Sequence, residues 1–162
     1  VAGAIRTTQS AIRTAQSEPM KLRPEVTIDA LNARASTRLP ALFGLKVVRV
    51  DPRELVMRMD IRPEFLAPNG FLHAASVIAL ADTACGFATV AHLPDGAESF
   101  TTIELKSNFL GTATEGTLEA VARGAHLGRT TQVWDATVTE VATGKTLALF
   151  RCTQMVLWPK KA

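Results

Sequence analysis

The chain has 162 residues, 47% of them hydrophobic and 20% charged, and carries a formal net charge of +3. That length and balance fit one globular domain with a sizeable core. Without a single Tyr or a dense Lys/Arg cluster, it lacks the stacking groups and the basic patch of a nucleic-acid binder, so no nucleic-acid partner is expected.

The N-terminal stretch holds a near-perfect repeat, "AIRTTQS" (4–10) followed by "AIRTAQS" (11–17). Two copies with only Ala and Ile apolar are too few for a coiled coil. Residues 1–20 are therefore read as an extension, with Met20 a plausible start, and residues 21–162 as a single domain. Residues 27–43 read as a short helix. Thr27 or Asp29 caps it, Leu31 and Ala35 share a face, and Pro40 with Gly44 ends it. "LKVVRV" and "ELVMRMDI", separated by "DPR", form an antiparallel hairpin. "RPEFLAPNGFL" is a loop marked by Pro63, Pro68 and the Asn69-Gly70 turn signal.

Next comes a long apolar run, "HAASVIALADTACGFATVAHL", from His73 to His92 and Leu93. Its length is marginal for a membrane span. It is Ala-rich and carries Asp82 near its centre, so a buried core helix is the better reading and no membrane partner is expected. After it the period changes to two. In "TTIELKSNFL", Ile103, Leu105 and Phe109 fall on one face, and Thr102, Glu104, Lys106 and Asn108 on the other. Three more strands follow, with turns at Gly128-Arg129 and "TGK" (143–145). Four sequential strands with short turns read as an antiparallel meander. A helix that is apolar all round must be covered on most sides, so an α+β fold with a strongly curved sheet wrapped around it is expected. One domain of this size leaves part of that helix and a sheet edge uncovered, which favours a homodimer.

Asp82 has Ile78, Ala79, Cys85 and Gly86 at i±3 and i±4, and no cation among them. Two readings stand at this point: a structural carboxylate bonded to backbone or to a buried hydroxyl, and a functional one. At the helix start, the free backbone N–H groups of Ala74 and Ala75 carry the positive end of the dipole and can serve as an oxyanion hole. His73 reads either as a capping residue or as a catalytic one. Cys85 and Cys152 are isolated thiols without zinc spacing, so no metal is expected and a reducing cytoplasm is the default compartment.

"NGFLHAASVIALADTACG" resembles the signature of the hotdog-fold acyl-coenzyme A thioesterases of the phenylacetate-pathway (PaaI) type. Their motif is His-Gly-Gly, six residues, then an acid, usually in Leu-Ala-Asp or Leu-Ala-Glu. Here His73 and Asp82 are nine apart, and "LADTA" stands at 80–84. The strand block "TTIELKSNFLGTATEGTLEAVARGAHLGRTTQVWDATVT" is similar too, including a His-x-Gly-Arg turn at His126, Gly128 and Arg129. The likeness covers about residues 40–157. It implies a hotdog fold, no cofactor, and hydrolysis of an acyl-coenzyme A. Asp82 would act as nucleophile or general base, the Ala74 N–H would polarise the thioester carbonyl, and Thr102 would position the water. His73 would complete the catalytic set, Asn69, Gly70 and Ala75 would border the substrate, and Arg129, His126 and Lys106 would meet the coenzyme A phosphates. The implied assembly is a homodimer, or a homotetramer built from it.

The chain departs from the pattern at several positions. Ala74-Ala75 replaces Gly-Gly. Ala67 stands where many relatives carry Asn or Gln, with Asn69 two residues late, and Gly86 replaces a Thr or Ser one turn after the acid. An acyl-coenzyme A-binding or sensing protein of the same fold, without turnover, is the alternative these departures motivate. From Ala74 to Asp82 is eight residues, roughly 12 Å along a helix at 1.5 Å per residue. Both groups must come within about 3 Å of one carbonyl. One helix cannot achieve that, so donor and acid are expected from different subunits.

Overall fold

The computed structural model describes residues 22–160, which leaves the repeat and the extension assigned to residues 1–20 outside the described residues. The first helical segment is two helices, α1 (Ile28–Ala35) and α2 (Arg38–Leu42), where one was expected. Pro40 explains the break. In one continuous helix its missing N–H would have to bond the carbonyl of Ser36, whereas as the third residue of α2 it lies in the first turn, where no such bond is needed. Thr37 is extended and Arg38 has φ +60°, which restarts the chain, and Gly44 at φ +63° ends α2. Thr27 caps α1 by accepting the Ala30 N–H at 3.1 Å, and Leu31 and Ala35 are buried, as expected.

The hairpin is β1 (Lys46–Asp51) and β2 (Glu54–Asp60), joined through Pro52 and Arg53, the latter at φ +67°. β1 is an edge strand. Asn32 of α1 covers part of that edge: its amide donates to the Val47 carbonyl at 3.0 Å and accepts the Val47 N–H at 2.8 Å. A loop with a 3₁₀ turn (Pro63–Phe65) leads into α3 (Ala74–Ala91). By length and composition α3 could cross a membrane, but Leu80, Ala81, Ala84, Cys85 and Ala88 are all buried in the core.

The remaining strands are β3 (Ser99–Phe109), β4 (Thr117–Leu127), β5 (Thr131–Glu140) and β6 (Thr146–Leu157). All six form one curved antiparallel sheet in the order β1-β2-β4-β5-β6-β3. The expected four-strand meander is thus a three-strand meander, β4-β5-β6, with β3 carried to the far side of β6. β4 has β2 on one edge and β5, joined by a tight turn, on the other, so the open edge left for β3 is that of β6. Residues 110–116 cross three strand spacings, about 14 Å, which seven residues span with ease. The inner face of the sheet carries Ala120, Ala122, Ala136 and Ala148 opposite the alanines of α3, and small residues on both sides let helix and sheet approach closely.

The C-terminal end of α3 is tied to the hairpin. His92 is buried, its Nδ1 lies 2.7 Å from the Ala88 carbonyl and its Nε2 accepts the Arg53 N–H at 2.8 Å. Only the neutral tautomer with a proton on Nδ1 serves both partners. Burial first, and then the nearby Arg53 charge, hold this imidazole below its ordinary pKa. The unfolded chain therefore binds the proton first as pH falls. Stability from His92 is complete above about pH 6.5 and is lost as pH drops through the lower, folded value. Urea unfolding at pH 7.5 and pH 5.0 should show wild type losing more stability on acidification than His92→Gln. Equal losses would mean that His92 is not the titrating group.

Candidate active site

Asp82 lies mid-way along α3, and its Oδ1 is buried without a hydrogen-bond partner. Desolvation pushes its carboxyl above the ordinary range. The structural reading required a backbone or hydroxyl donor to that oxygen, and none is there among the described residues. Two other buried side-chain atoms lack partners, Ser107 Oγ on β3 and Gln154 Oε1 on β6. Among the described residues these three orphans belong to α3, β3 and β6. Unpaired buried polar atoms are rare in folded proteins, and each is a point where water or a ligand can complete the bonding.

The β3 side of the molecule is also its open side. Leu105 and Phe109 remain 42% and 45% exposed although they pair with the buried Cys152 and Ala148. Thr102 pairs with the buried Gln154, so it lies on the helix-facing side of the sheet with Leu105. This corrects the simple alternation. A bulge between Thr102 and Glu104 displaces Ile103 from the ladder and brings Thr102 to the face that carries Leu105. Gly86, one turn after Asp82, faces the Phe100 ring. A Cβ there would meet Phe100 Cζ at 3.1 Å, so the aromatic ring occupies the space a side chain at this position would need.

At the helix start the two N–H groups differ. His73 is the N-cap, and its Nδ1 accepts the Ala75 N–H at 3.0 Å. Ser76 and Val77 donate to the His73 carbonyl. The Ala74 N–H finds no acceptor among the described residues and is left as the free donor at the positive end of the dipole. The capping reading of His73 is therefore the one with contacts behind it, and Ala75 has its donor engaged in that cap. Two further bonds fix the position of this end: His73 N–H and Ser76 Oγ both donate to the Phe65 carbonyl, at 3.0 and 2.9 Å.

The other sequence-selected residues separate into two places. Asn69 and Gly70 shape the loop before the helix: Asn69 Oδ1 accepts the Phe71 N–H at 3.2 Å, and Gly70, at φ +82°, donates to the Ala67 carbonyl. Lys106 is not brought to Asp82. It pairs with Arg151 on the outer face of the sheet, where Arg151 is bonded to Asp135, because it is offset by one residue from the inward-facing Leu105. His126 and Arg129 stand together at the β4–β5 turn. A Cβ on Gly128 would lie 2.5 Å from His126 Nε2, so the glycine makes room for that ring. Among the described residues no group of His, Cys, Asp and Glu is arranged to hold a metal ion.

Residues 69–151, from the end of the loop through the helix and on into β6, match the family model of the thioesterase superfamily. The chain belongs to the thioesterase superfamily. Among its relatives, a 1,4-dihydroxy-2-naphthoyl-CoA hydrolase of Listeria monocytogenes is 29% identical over 124 residues, 76% of this chain and 98% of the other. A Pseudomonas aeruginosa thioesterase of known structure is 29% identical, with a TM-score of 0.78 over 84% of this chain and 97% of the other. The PaaI protein of the Escherichia coli phenylacetic acid degradation operon, 24% identical, shares the fold with a TM-score of 0.71 over 79% of this chain and 90% of its own. The hotdog fold and the PaaI likeness expected from the sequence are thereby shown, and the superfamily member is a thioester hydrolase.

Sequence reasoning passed over Ser107 and Gln154, since a Ser or Gln in a strand carries no mark of being buried without a partner. The cap on this thioesterase's helix is testable. His73→Ala should lower stability by about 1 kcal/mol, and His73→Asn, which can cap in the same way, should restore most of it. With an unaltered Ala74 N–H, His73→Asn should keep kcat within a few fold of wild type. A collapse of kcat in a well-folded His73→Asn protein would assign the imidazole to the chemistry.

Proposed function

We propose that this thioesterase hydrolyses an acyl-coenzyme A, with the Asp82 carboxylate as nucleophile or general base and the Ala74 N–H as oxyanion donor. The observation that carries this reading is the buried, unpartnered Asp82 oxygen on the open side of the central helix. The reaction asks for little more. A thiolate is a good leaving group, so a carboxylate and one directed donor are a sufficient set without a metal. As general base, Asp82 takes a proton from water while the water oxygen attacks the carbonyl carbon. The negative charge that develops on the carbonyl oxygen meets the Ala74 N–H. The C–S bond then breaks, and the proton goes to the departing sulfur. Thr102, on the same side of the sheet, serves to orient the water. The replacement of Gly-Gly by Ala74-Ala75 leaves the needed N–H in place, which favours turnover over a binding role alone.

The active unit in this reading is a homodimer. Ala74 and Asp82 sit roughly 12 Å apart on one rigid helix, so a single carbonyl cannot reach both within one chain. The exposed Ile103, Leu105, Phe109 and Leu110 on and beside the unpaired edge of β3 supply an apolar surface for the second copy. Two-fold symmetry then yields two equivalent sites, each with the donor of one chain and the acid of the other.

Asp82→Asn should lower hydrolysis of acyl-coenzyme A esters at least about a hundredfold, as for a lost acid–base or nucleophilic group. Wild-type kcat/KM should fall with falling pH as the carboxylate takes up its proton, from a pKa above the ordinary 3.8. The raised folded value also means that the ionised side chain destabilises the fold at neutral pH. Asp82→Asn should therefore unfold at a higher temperature than wild type at pH 7.5, and the gap should narrow on acidification. Thiol release at the wild-type rate from the Asp82→Asn variant would remove Asp82 from the mechanism.

A further inference from the structure

Trp158, just beyond β6, was not singled out by any sequence motif, and it is built into a specific contact. The Arg129 guanidinium carbon lies 4.4 Å from the centre of the Trp158 ring, and the indole N–H donates to the Arg129 carbonyl at 3.2 Å. The same residue is thus held at its backbone and at its side-chain tip. Trp158 is itself anchored against a small apolar cluster made by Leu93 and Ala97, which follow the central helix, and Val156 of β6. Arg23, Arg49, Arg58, Arg123 and Arg151 each pair with a carboxylate, and Arg53 and Arg62, which do not, give guanidinium N–H groups to the Gly124 and Leu42 carbonyls; Arg129 is stacked on an indole with neither a carboxylate nor a carbonyl on its guanidinium among the described residues. An exposed cation that is stacked but uncompensated is prepared for an anion, because its rotamer entropy is already lost and no carboxylate has to be displaced.

We propose that Trp158 is a positioning residue which holds Arg129 as a phosphate clamp for the nucleotide end of a coenzyme A thioester. The proposal rests on the acyl-coenzyme A reading above and adds to it a residue, an orientation and a place. The guanidinium, stacked on the indole through one face, keeps its N–H edges free for phosphate oxygens, and His126 stands at the same turn. The clamp acts on binding alone, far from the reacting carbonyl, so it contributes equally to ground and transition states.

The test uses kinetics with two substrates and a direct binding probe. Trp158→Ala should raise KM for an acyl-coenzyme A about two- to fivefold, the range of an exposed cation–π contact, with kcat unchanged. Trp158→Phe, which keeps a ring under the guanidinium, should lie near wild type. Neither variant should alter KM for the matching acyl-pantetheine, which has no nucleotide. In an Arg129→Ala background, Trp158→Ala should have no further effect, since its action runs through Arg129. Equal losses on both substrates, or additive effects of the two substitutions, would overturn the proposal. Adenosine 3′,5′-bisphosphate, its binding followed by isothermal titration calorimetry in wild type and variants alike, separates this claim from the catalytic one. If the bisphosphate binds, and binds less well to Trp158→Ala, the clamp stands even where no thioester is hydrolysed. If acyl-coenzyme A is hydrolysed with a KM indifferent to Trp158→Ala, the clamp fails and the thioesterase reading stands.

Discussion

In the proposed mechanism a carboxyl group half-way along a largely buried helix must be reached by its substrate from one side, and the arrangement of this thioesterase fits that demand. The sheet curves over α3 and seals it with small residues, so that the sides near β2, β4 and β5 are closed. On the β3 side the packing stops short, and polar atoms of Asp82 on α3, Ser107 on β3 and Gln154 on β6 lie buried without partners. Desolvation, a pure cost in a finished core, raises the Asp82 carboxyl above its ordinary range, and in the proposed mechanism it leaves the carboxylate poorly solvated and readier to take a proton.

Such a site works only if the helix cannot slide. Both of its ends are fastened by bonds that do not involve its middle. At the start, the Phe65 carbonyl takes two donors and His73 caps the Ala75 N–H, which leaves Ala74 as the free donor. At the end, His92 bonds the Arg53 N–H of the hairpin, and Gln132 of β5 donates to the His92 carbonyl at 2.8 Å. The same helix thus holds a free N–H and a carboxyl in defined positions, and in the proposed mechanism the distance between them calls for a second copy to bring one of each together.

Much of this was legible from local chemistry. The Thr27 cap, the Pro52-Arg53 hairpin, the span of the central helix and the Gly128 turn all arise from residues close in sequence, and Asp82 stood out because an apolar run made it conspicuous. What stayed hidden depends on partners distant in sequence. Whether β3 pairs with β4 or β6 is decided by which edges are already taken, and the Thr102/Glu104 bulge that brings Thr102 to the helix-facing side has no signal in an alternating strand. The break at Ser36-Thr37 was readable in principle, because Pro40 forbids the bond a continuous helix needs. The Arg129–Trp158 stack joins a turn to a strand end that is 29 residues away, and no local pattern announces it.

The central claim is that donor and acid come from different chains, and subunit mixing tests it most directly. Ala74→Pro removes the donor at a helix position that tolerates proline, and Asp82→Asn removes the acid. Each variant alone should be nearly inactive as a homodimer. Unfolding and refolding them together in equal amounts makes half of the dimers mixed. In each mixed dimer one site draws its N–H from the Asp82→Asn chain and its carboxylate from the Ala74→Pro chain, so about a quarter of wild-type activity should return. Folded mixed dimers that recover no activity would contradict the shared site.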